Sequence, residues 1–391
     1  MKILTMAACA FLLWILQAAL FHRFWNKNLK ARLRFSSYGV TEGQCVTLKE
    51  TITNAKAFPI PVLHVKFQMG KHLVFTASGN SNITDNNYRS DIFSCMPWQE
   101  IRRSLEIFCQ KRGYYTISQV QLVSYDLFFT GHMVACLPAD AALYVYPRQI
   151  PAKKLDLPLR SLLGQINARR SLIRDPFEIQ TVRPYEPYDS YRAVNWKATA
   201  RTGQLKVNVY APTASWQVLF LLDMDSDKIW KDESLTEESI RLCATYSHLL
   251  IKEGIPVAVY SNGTDSLSDV HPMAEASPLP YGVQAGAGFG HGQTVMEYLA
   301  RIRPQKQGQL SMEQVLEEMA RAARLPDSTV YILISPQQRD SIARSFAHLC
   351  RQSPGCQWIL PFRPNEEIRL KTSFHISVFP WEVPYDHSQA S

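Results

Sequence analysis

Asp223-Met224-Asp225-Ser226-Asp227 sets three carboxylates on alternate positions directly after the apolar run WQVLFLL. Acids this close repel one another unless a cation or an arginine lies among them. The chemistry they offer is therefore coordination of a hard divalent ion such as Mg²⁺ or Ca²⁺. Thr294, after GAGFGHG, supplies a hydroxyl that could join them, and the competing reading of the acids is a solvated turn. A second dense stretch, RPYEPYDSYRAVNWKATARTG from Arg183 to Gly203, combines four cations, two acids, three tyrosines and Trp196. Two roles suit it. As a clasp, Arg183, Arg192 and Arg201 would bridge to Glu186, Asp189 and backbone carbonyls, with Trp196 as a buried anchor. As a pocket, the same arginines would receive an anion or a partner.

Signals for bond-making chemistry are scarce. GAGFGHG lacks the Lys-Ser/Thr that follows a phosphate loop and does not open directly after a strand. HExxH and GxSxG are absent. His271 and His291 stand alone in loop sequence, where solvated histidines are expected, and no nucleophile–base pair can be nominated.

The elements that must position these residues alternate. WQVLFLLD reads as a strand buried on both faces. Ser234 and Glu237 have the spacing of a capping box before a helix with Leu242, Tyr246, Leu249 and Leu250 on one side, stopped at Gly254. PVAVYS, TVYILIS and QWILPF read as further strands, and TVMEYLARI, MEQVLEEMARAARL and DSIARSFAHLC as helices. Repeated β-α alternation predicts a mostly parallel sheet covered by helices. Sites in such sheets lie beyond the C-terminal strand ends, here Asp223, Ser261 and Ser335 onward. Between the two dense stretches, Asn195 is a good N-cap, WKATAR a short helix and Gly203 its C-terminal stop, with Arg192, Trp196 and Ala200 on one face.

The first part of the chain is different. From Leu33 to Pro147 the pattern has period two, as in CVTLKETIT, where Val46, Leu48 and Ile52 share a side, and polar breaks separate short strands. This predicts an antiparallel, immunoglobulin-like β-sandwich without chemistry of its own. Before it, Ile3–Phe21 is uncharged and long enough to cross a bilayer as a helix. A poor cleavage site favours a retained span over a signal peptide. Five Lys/Arg between His22 and Phe35 place the body on the cytoplasmic side, with Phe24 and Trp25 at the interface and Arg23 and Lys27 snorkelling. In a linker over 148–175, Arg148 to Arg174 carries seven cations against Asp156 alone, and Leu159, Leu162, Leu163 and Ile166 fall on one helical face. The net charge of +8 is thus confined to a post-hydrophobic flank and a linker, which suits a membrane surface and argues against a nucleic-acid partner. The eight cysteines show no CxxC and read as reduced thiols.

Arg183, Tyr185, Asp189, Arg192, Val194, Asn195, Trp196, Lys197, Thr199, Ala200 and Arg201 together closely resemble the signature R-x-Y-x-x-G-D-x-x-R-x-I-x-W-x-x-[ST]-A-R of the bacterial domain of unknown function 58 family. The family's turn glycine is Tyr188 here, so the local turn is expected to differ. The resemblance implies a membrane-tethered protein with a C-terminal von Willebrand factor A-like domain, often linked with MoxR-type AAA+ ATPases, and no assigned reaction. Metal-binding A-domains end the first strand in D-x-S-x-S; here both hydroxyl positions are carboxylates. The loop after YILIS offers Pro336-Gln337-Gln338 and no acid.

The resulting organisation is an anchor (1–22), a sandwich (33–147), a basic linker (148–175) and a signature segment with an α/β domain (176–385). The expected function is that of a membrane-anchored, cytosolic interaction protein without catalysis or cofactor. Its partners would be proteins, a MoxR-type ATPase among those implied. The alternatives are a divalent-metal site or enzyme using Asp223, Asp225 and Asp227, and an extracytoplasmic binding module.

Overall fold

A computed structural model describes residues 2–76, 81–83, 86–126, 131–151, 155, 164, 174–187, 189–212, 216–225, 233–267, 282–304, 310–322, 328–351, 353, 355–369 and 376–385. The chain divides into two units, residues 1–148 and 149–391. Leu159, Leu162, Leu163 and Ile166 of the anticipated amphipathic segment, Tyr188, Asp227 and His271 lie outside the described residues.

The first unit opens with α1 (Lys2–Phe24), which is long and apolar enough to cross a membrane. Ten strands follow: β1 (Leu29–Phe35), β2 (Gly39–Thr41), β3 (Cys45–Asn54), β4 (Ile60–Gly70), β5 (Leu73–Phe75), β6 (Ser81–Ile83), β7 (Asn86–Cys95), β8 (Glu100–Cys109), β9 (Gly113–Tyr125) and β10 (His132–Tyr146). They form two sheets, ordered β1-β3-β8-β5 and β2-β10-β9-β4-β7-β6, antiparallel except for the β2–β10 pair. The period-two pattern does what it predicts. Val46, Leu48 and Ile52 are buried and meet Leu63, Val65 and Leu122 of the other sheet in one core. Trp25 departs from expectation. It does not wait at a lipid interface but is 4% exposed within the sandwich core, as is the fully buried Phe21, because β1 starts only four residues later. Phe24 remains partly exposed, with the Lys27 ammonium 4.8 Å above its ring.

The sandwich also buries charge. Arg89 Nε lies 2.6 Å from Asp91, and Arg103 reaches the other Asp91 oxygen at 2.9 Å. Glu50, paired across β3–β8 with Arg103, is 1% exposed, and neither of its carboxyl oxygens has a hydrogen-bond donor. Burial, then the charge of Asp91, push its carboxyl up to about 7 against the pull of Arg103 and Arg89.

The second unit contains β11 (Arg174–Pro184), α2 (Trp196–Thr202), β12 (Lys206–Pro212), β13 (Gln217–Leu222), α3 (Glu233–Lys252), β14 (Val257–Ser261), β15 (Thr264–Asp265), β16 (Gly282–Gly286), α4 (Phe289–Arg301), β17 (Ile302–Arg303), α5 (Met312–Ala322), β18 (Thr329–Ile334), α6 (Asp340–Cys350), β19 (Gly355–Phe362) and β20 (Ser377–Glu382). β11 and β12 pair as an antiparallel ribbon. A six-stranded sheet is ordered β16-β14-β13-β18-β19-β20, parallel except for β16. β13, β14, β18 and β19 are the four apolar runs of the sequence. β16 and β20 come from a Gly-rich segment and from SVFPWE, whose patterns carry no strand signal.

Alternate residues of β13 feed two cores. Val218, Phe220 and Leu222 pack with Ile240, Tyr246 and Leu299 of α3 and α4. Leu219 and Leu221 pack with Leu316 and Phe346 of α5 and α6. Helices thus cover both faces, and chain order reverses between β13 and β18, which makes the gap beyond those two strands the switch point of the sheet. Gly254, at φ 75°, ends α3 as expected. Ser234 does not stand at the N-cap position that a capping box requires. Ser234 lies inside α3, where its hydroxyl instead receives the Arg363 guanidinium from the end of β19.

Candidate functional site

The strand ends anticipated as addresses converge at this switch point. β13 hands over to Asp223, β14 to Ser261-Asn262 and β18 to Ser335, all buried. Apolar strands end here because the backbone leaves the sheet and needs polar partners, and these side chains provide them. The Asp225 amide donates to Asp223 Oδ1 at 2.9 Å, and the Ser335 hydroxyl to Asp223 Oδ2 at 2.6 Å. Asn262 donates through Nδ2 to Asp225 Oδ1 at 2.6 Å, while its Oδ1 accepts the Met224 amide at 2.8 Å. The first amide of α5, Met312, donates to Asp225 Oδ2 at 3.0 Å. Gln337 closes the circuit, its side chain on the Asp225 carbonyl and its amide on the Ser335 hydroxyl, each at 3.0 Å. The Trp358 indole ties the Ser335 carbonyl to β19 at 3.1 Å.

Burial, then the charge of Asp225, push the Asp223 carboxyl up to about 7, against the Ser335 hydroxyl, the Asp225 amide and Arg339. Asp225 also moves up through burial, opposed by the Met312 amide, Arg339 and Asn262. Arg339 is itself 3.3 Å from Glu313. A carboxyl poised near neutrality at a sheet switch point is a common mark of acid–base work. Here the geometry opposes that role, since Asp223 is 1% exposed and all four oxygens of the two carboxylates already accept from protein donors.

The same donors bear on the cation reading. A hard ion needs carboxylate lone pairs turned toward a common centre. These are turned toward N–H and O–H groups, and no trio of His, Cys, Asp or Glu converges on a metal position among the described residues. Thr294 is not brought to the acids. It is exposed in the first half of α4, bonded to the Gly290 carbonyl at 3.1 Å. That helix begins beside the opposite strand ends, where His291 Nε2 lies 2.7 Å from the Val257 carbonyl. His291 is therefore a helix residue anchored to the sheet rather than a solvated loop histidine. Asn262, Gln337 and Arg339 were missed as site residues. Their signal was position, within four residues of a strand end already singled out.

The second dense stretch forms an ordered excursion between β11 and β12. Arg183 meets Asp189 fork to fork, at 2.7 and 2.6 Å, and Asp189 also accepts the Glu186 amide at 2.9 Å. The Asp189 hydrogen bond and charge hold the Arg183 guanidinium's pKa above its ordinary value. Asn195 caps α2 by accepting the Ala198 amide at 2.9 Å and anchors to β12 through Asn208 at 2.7 Å. Thr199 accepts the Lys206 amide at 3.0 Å, and Gly203, at φ 69°, stops the helix. Val194 and Val207 are the buried pair beneath. The clasp is thus real at Arg183–Asp189, but three of its expected members depart from it.

Trp196 is 68% exposed, not a buried anchor, and Arg192 and Arg201 are exposed rather than tied to the acids. Trp196 and Ala200 share the solvent side of α2, because the valines occupy the covered side. Arg192 is also exposed but lies outside the helix, in a 3-10 turn over Tyr191–Ala193 that extended Val194 separates from α2, so the expected three-residue helical face does not form. Tyr191 is 71% exposed and stacks on Tyr185 with centroids 5.5 Å apart; Lys197 is also exposed.

Comparison with known proteins places both features in one region. Residues 181–335 match the family model described as "Protein of unknown function DUF58", a segment running from the end of β11 through Ser335. The uncharacterized protein YeaD of Bacillus subtilis (strain 168) is 24% identical over 187 residues, 46% of this chain and 44% of YeaD, so the match spans less than half of that relative. Among solved structures, the CARDB domain of the PF1109 protein from Pyrococcus furiosus is 11% identical, covering 29% of this chain and 90% of its own at a TM-score of 0.19. A non-cellulosomal cohesin from Archaeoglobus fulgidus is 10% identical, covering 32% and 96% at 0.20. Overlaps at these scores bear on neither mechanism nor partners.

Proposed function

From its place in the DUF58 family, carried by residues 181–335, we propose that this protein is a membrane-anchored interaction protein that works by binding rather than by catalysis. The surface we assign to partner binding is the α2 excursion. The observation that carries the reading is the 68% exposure of Trp196 and 71% exposure of Tyr191 on an element fixed by a bidentate ion pair and a double cap. Large aromatics held rigidly in water, flanked by Arg192, Lys197 and Arg201, have the composition of interface hot spots. Their charge selects an acidic protein surface. A MoxR-type AAA+ ATPase is the partner that the family resemblance implies.

α1 serves as the anchor, and the cations that follow it favour a cytoplasmic body. The von Willebrand factor A-like reading of the second unit is supported by its strand order, with β14 and then β16 on one side of β13, β18, β19 and β20 on the other, and only the edge strand β16 antiparallel. The switch-point network then acts as a structural lock of the six-stranded sheet. The test is quantitative affinity capture from gently solubilised membranes with the full chain and with a Tyr191→Ser/Trp196→Ser variant. The reading expects a protein, an AAA+ ATPase foremost, that is retained by the first and lost by the second. Equal retention by both, or no retained protein, overturns it.

A further inference from the structure

The first unit presents a second apolar feature, beside the end of α1. The turn between β7 and β8, Met96-Pro97-Trp98-Gln99, leaves Met96 62% and Trp98 72% exposed, and Trp98 sits at φ 55°, a left-handed conformation that bulky residues avoid. The turn is nevertheless tightly held. Asn54, itself buried, donates through Nδ2 to the Met96 carbonyl at 2.9 Å and to the Phe58 carbonyl at 3.0 Å. Gln99 accepts the Met96 amide at 2.7 Å through its side chain and the Asn54 amide at 2.9 Å through its carbonyl. The backbone of the turn is thus held in place while two large apolar side chains stay in water.

Their neighbours explain why. The Trp98 amide donates to the Lys56 carbonyl at 3.2 Å, and the Lys56 ammonium donates to the Trp25 carbonyl just after α1. Phe58, in the same loop as Lys56, packs on Phe21 with centroids 5.4 Å apart. Phe21 is the last residue of the uncharged stretch Ile3–Phe21, and a helix of that length just matches a hydrocarbon core about 30 Å thick. A span that begins near Ile3 thus ends at Phe21, and the residue ending it is buried in the end of the sandwich. That end of the sandwich must then rest at the lipid–water boundary, the depth at which tryptophan is enriched.

We propose that the Met96–Trp98 turn is a second membrane contact, inserting into the interfacial layer of the bilayer beside α1 and fixing the orientation of the sandwich on the membrane. The inference rests on reading α1 as a span, and the partner it commits to is lipid. One helix alone leaves rotation and tilt free; a wedge set off to its side removes that freedom.

The test is site-directed spin labelling of the full chain in phosphatidylcholine–phosphatidylglycerol vesicles, with the exposed Cys9, Cys45 and Cys136 and the partly exposed Cys350 and Cys356 replaced by serine and a single label at Met96→Cys. Leu13→Cys reports the centre of the span and Lys49→Cys the water-facing sheet surface. The expected result is an oxygen-to-nickel-chelate accessibility ratio at position 96 about threefold above position 49 and below position 13, as suits an interfacial depth. A ratio at 96 equal to that at 49, with 13 still deep, overturns the proposal and leaves the anchor standing. Low access of both reagents at 96 overturns it too, because protein then covers the turn. An aqueous ratio at 13 removes the span and the wedge with it. Brominated-lipid quenching of tryptophan in wild type against Trp98→Phe gives an independent reading without cysteine replacement: the proposal expects a loss of quenchable signal, and no loss contradicts it.

Discussion

The Ser335 hydroxyl lies 2.6 Å from Asp223 Oδ2, joining the C-terminal ends of β18 and β13 across the switch point of the sheet. The same hydroxyl accepts the Gln337 amide at 3.0 Å, so one buried oxygen satisfies a carboxylate and a turn together. Ser335→Ala leaves both groups unpaired and should destabilise the second unit by about 2–3 kcal/mol, read from chemical unfolding of the full chain. An unchanged midpoint would mean that the network does not hold the strand ends.

Asp223 makes that stability depend on pH. Its carboxyl is pushed up to about 7 from an ordinary value of 3.8, so the fold favours the protonated form. The associated stability is fully present below the ordinary value and is lost as pH rises through about 7. Thermal unfolding of the second unit should fall by roughly 5 °C between pH 5 and pH 8. Asp223→Asn keeps an acceptor for the Asp225 amide and should flatten that dependence. A variant that still follows the wild-type curve would place the titration elsewhere.

Glu50 makes an independent case in the sandwich. Its carboxyl is pushed up to about 7 by burial and by Asp91, so its stabilising protonated form is also lost as pH rises through that value. Glu50→Gln should raise stability above pH 8 by about 1–3 kcal/mol and leave it nearly unchanged at pH 5, provided the amide fits the same space. Equal effects at both pH values would contradict a titrating Glu50.

Arg183→Lys tests the excursion without touching the core. A lysine cannot reproduce the two parallel bonds to Asp189. Hydrogen exchange at the Glu186 and Asp189 amides should quicken, while the unfolding midpoint of the six-stranded sheet stays put. Protection unchanged at those amides would show that Arg183 does not hold the turn.

Much of this fold was legible because burial leaves a pattern. WQVLFLL could only be a strand covered on both faces, and Val46, Leu48 and Ile52 announced the inner face of a sheet. Local chemistry was legible too: Asn195 and Gly203 bound α2 as their types require. What stayed hidden was direction. The spacing of Trp196 and Ala200 defines a face of α2, but only Val194 and Val207, a pair brought together by ribbon register, decide that this face looks outward, and the turn that takes Arg192 off the helix leaves no mark in its spacing. The acids at 223 and 225 were visible, whereas the side-chain donors Asn262 and Ser335 lie 37 and 112 residues from their acceptors and meet them only through the parallel register of β13, β14 and β18. Trp25 was misplaced for a similar reason, since its burial depends on loops of the sandwich that packs around the end of α1.

The central claim is that the exposed face of α2 engages an acidic protein partner, and photo-crosslinking tests it most directly. A benzoylphenylalanine at position 196 of the full chain, irradiated in native membranes, should yield one dominant protein adduct. The same probe at Lys49 should not yield it, and Arg192→Glu/Arg201→Glu should abolish it. A probe at 196 that captures only lipid or water, or an adduct indifferent to reversing those two charges, would contradict the account.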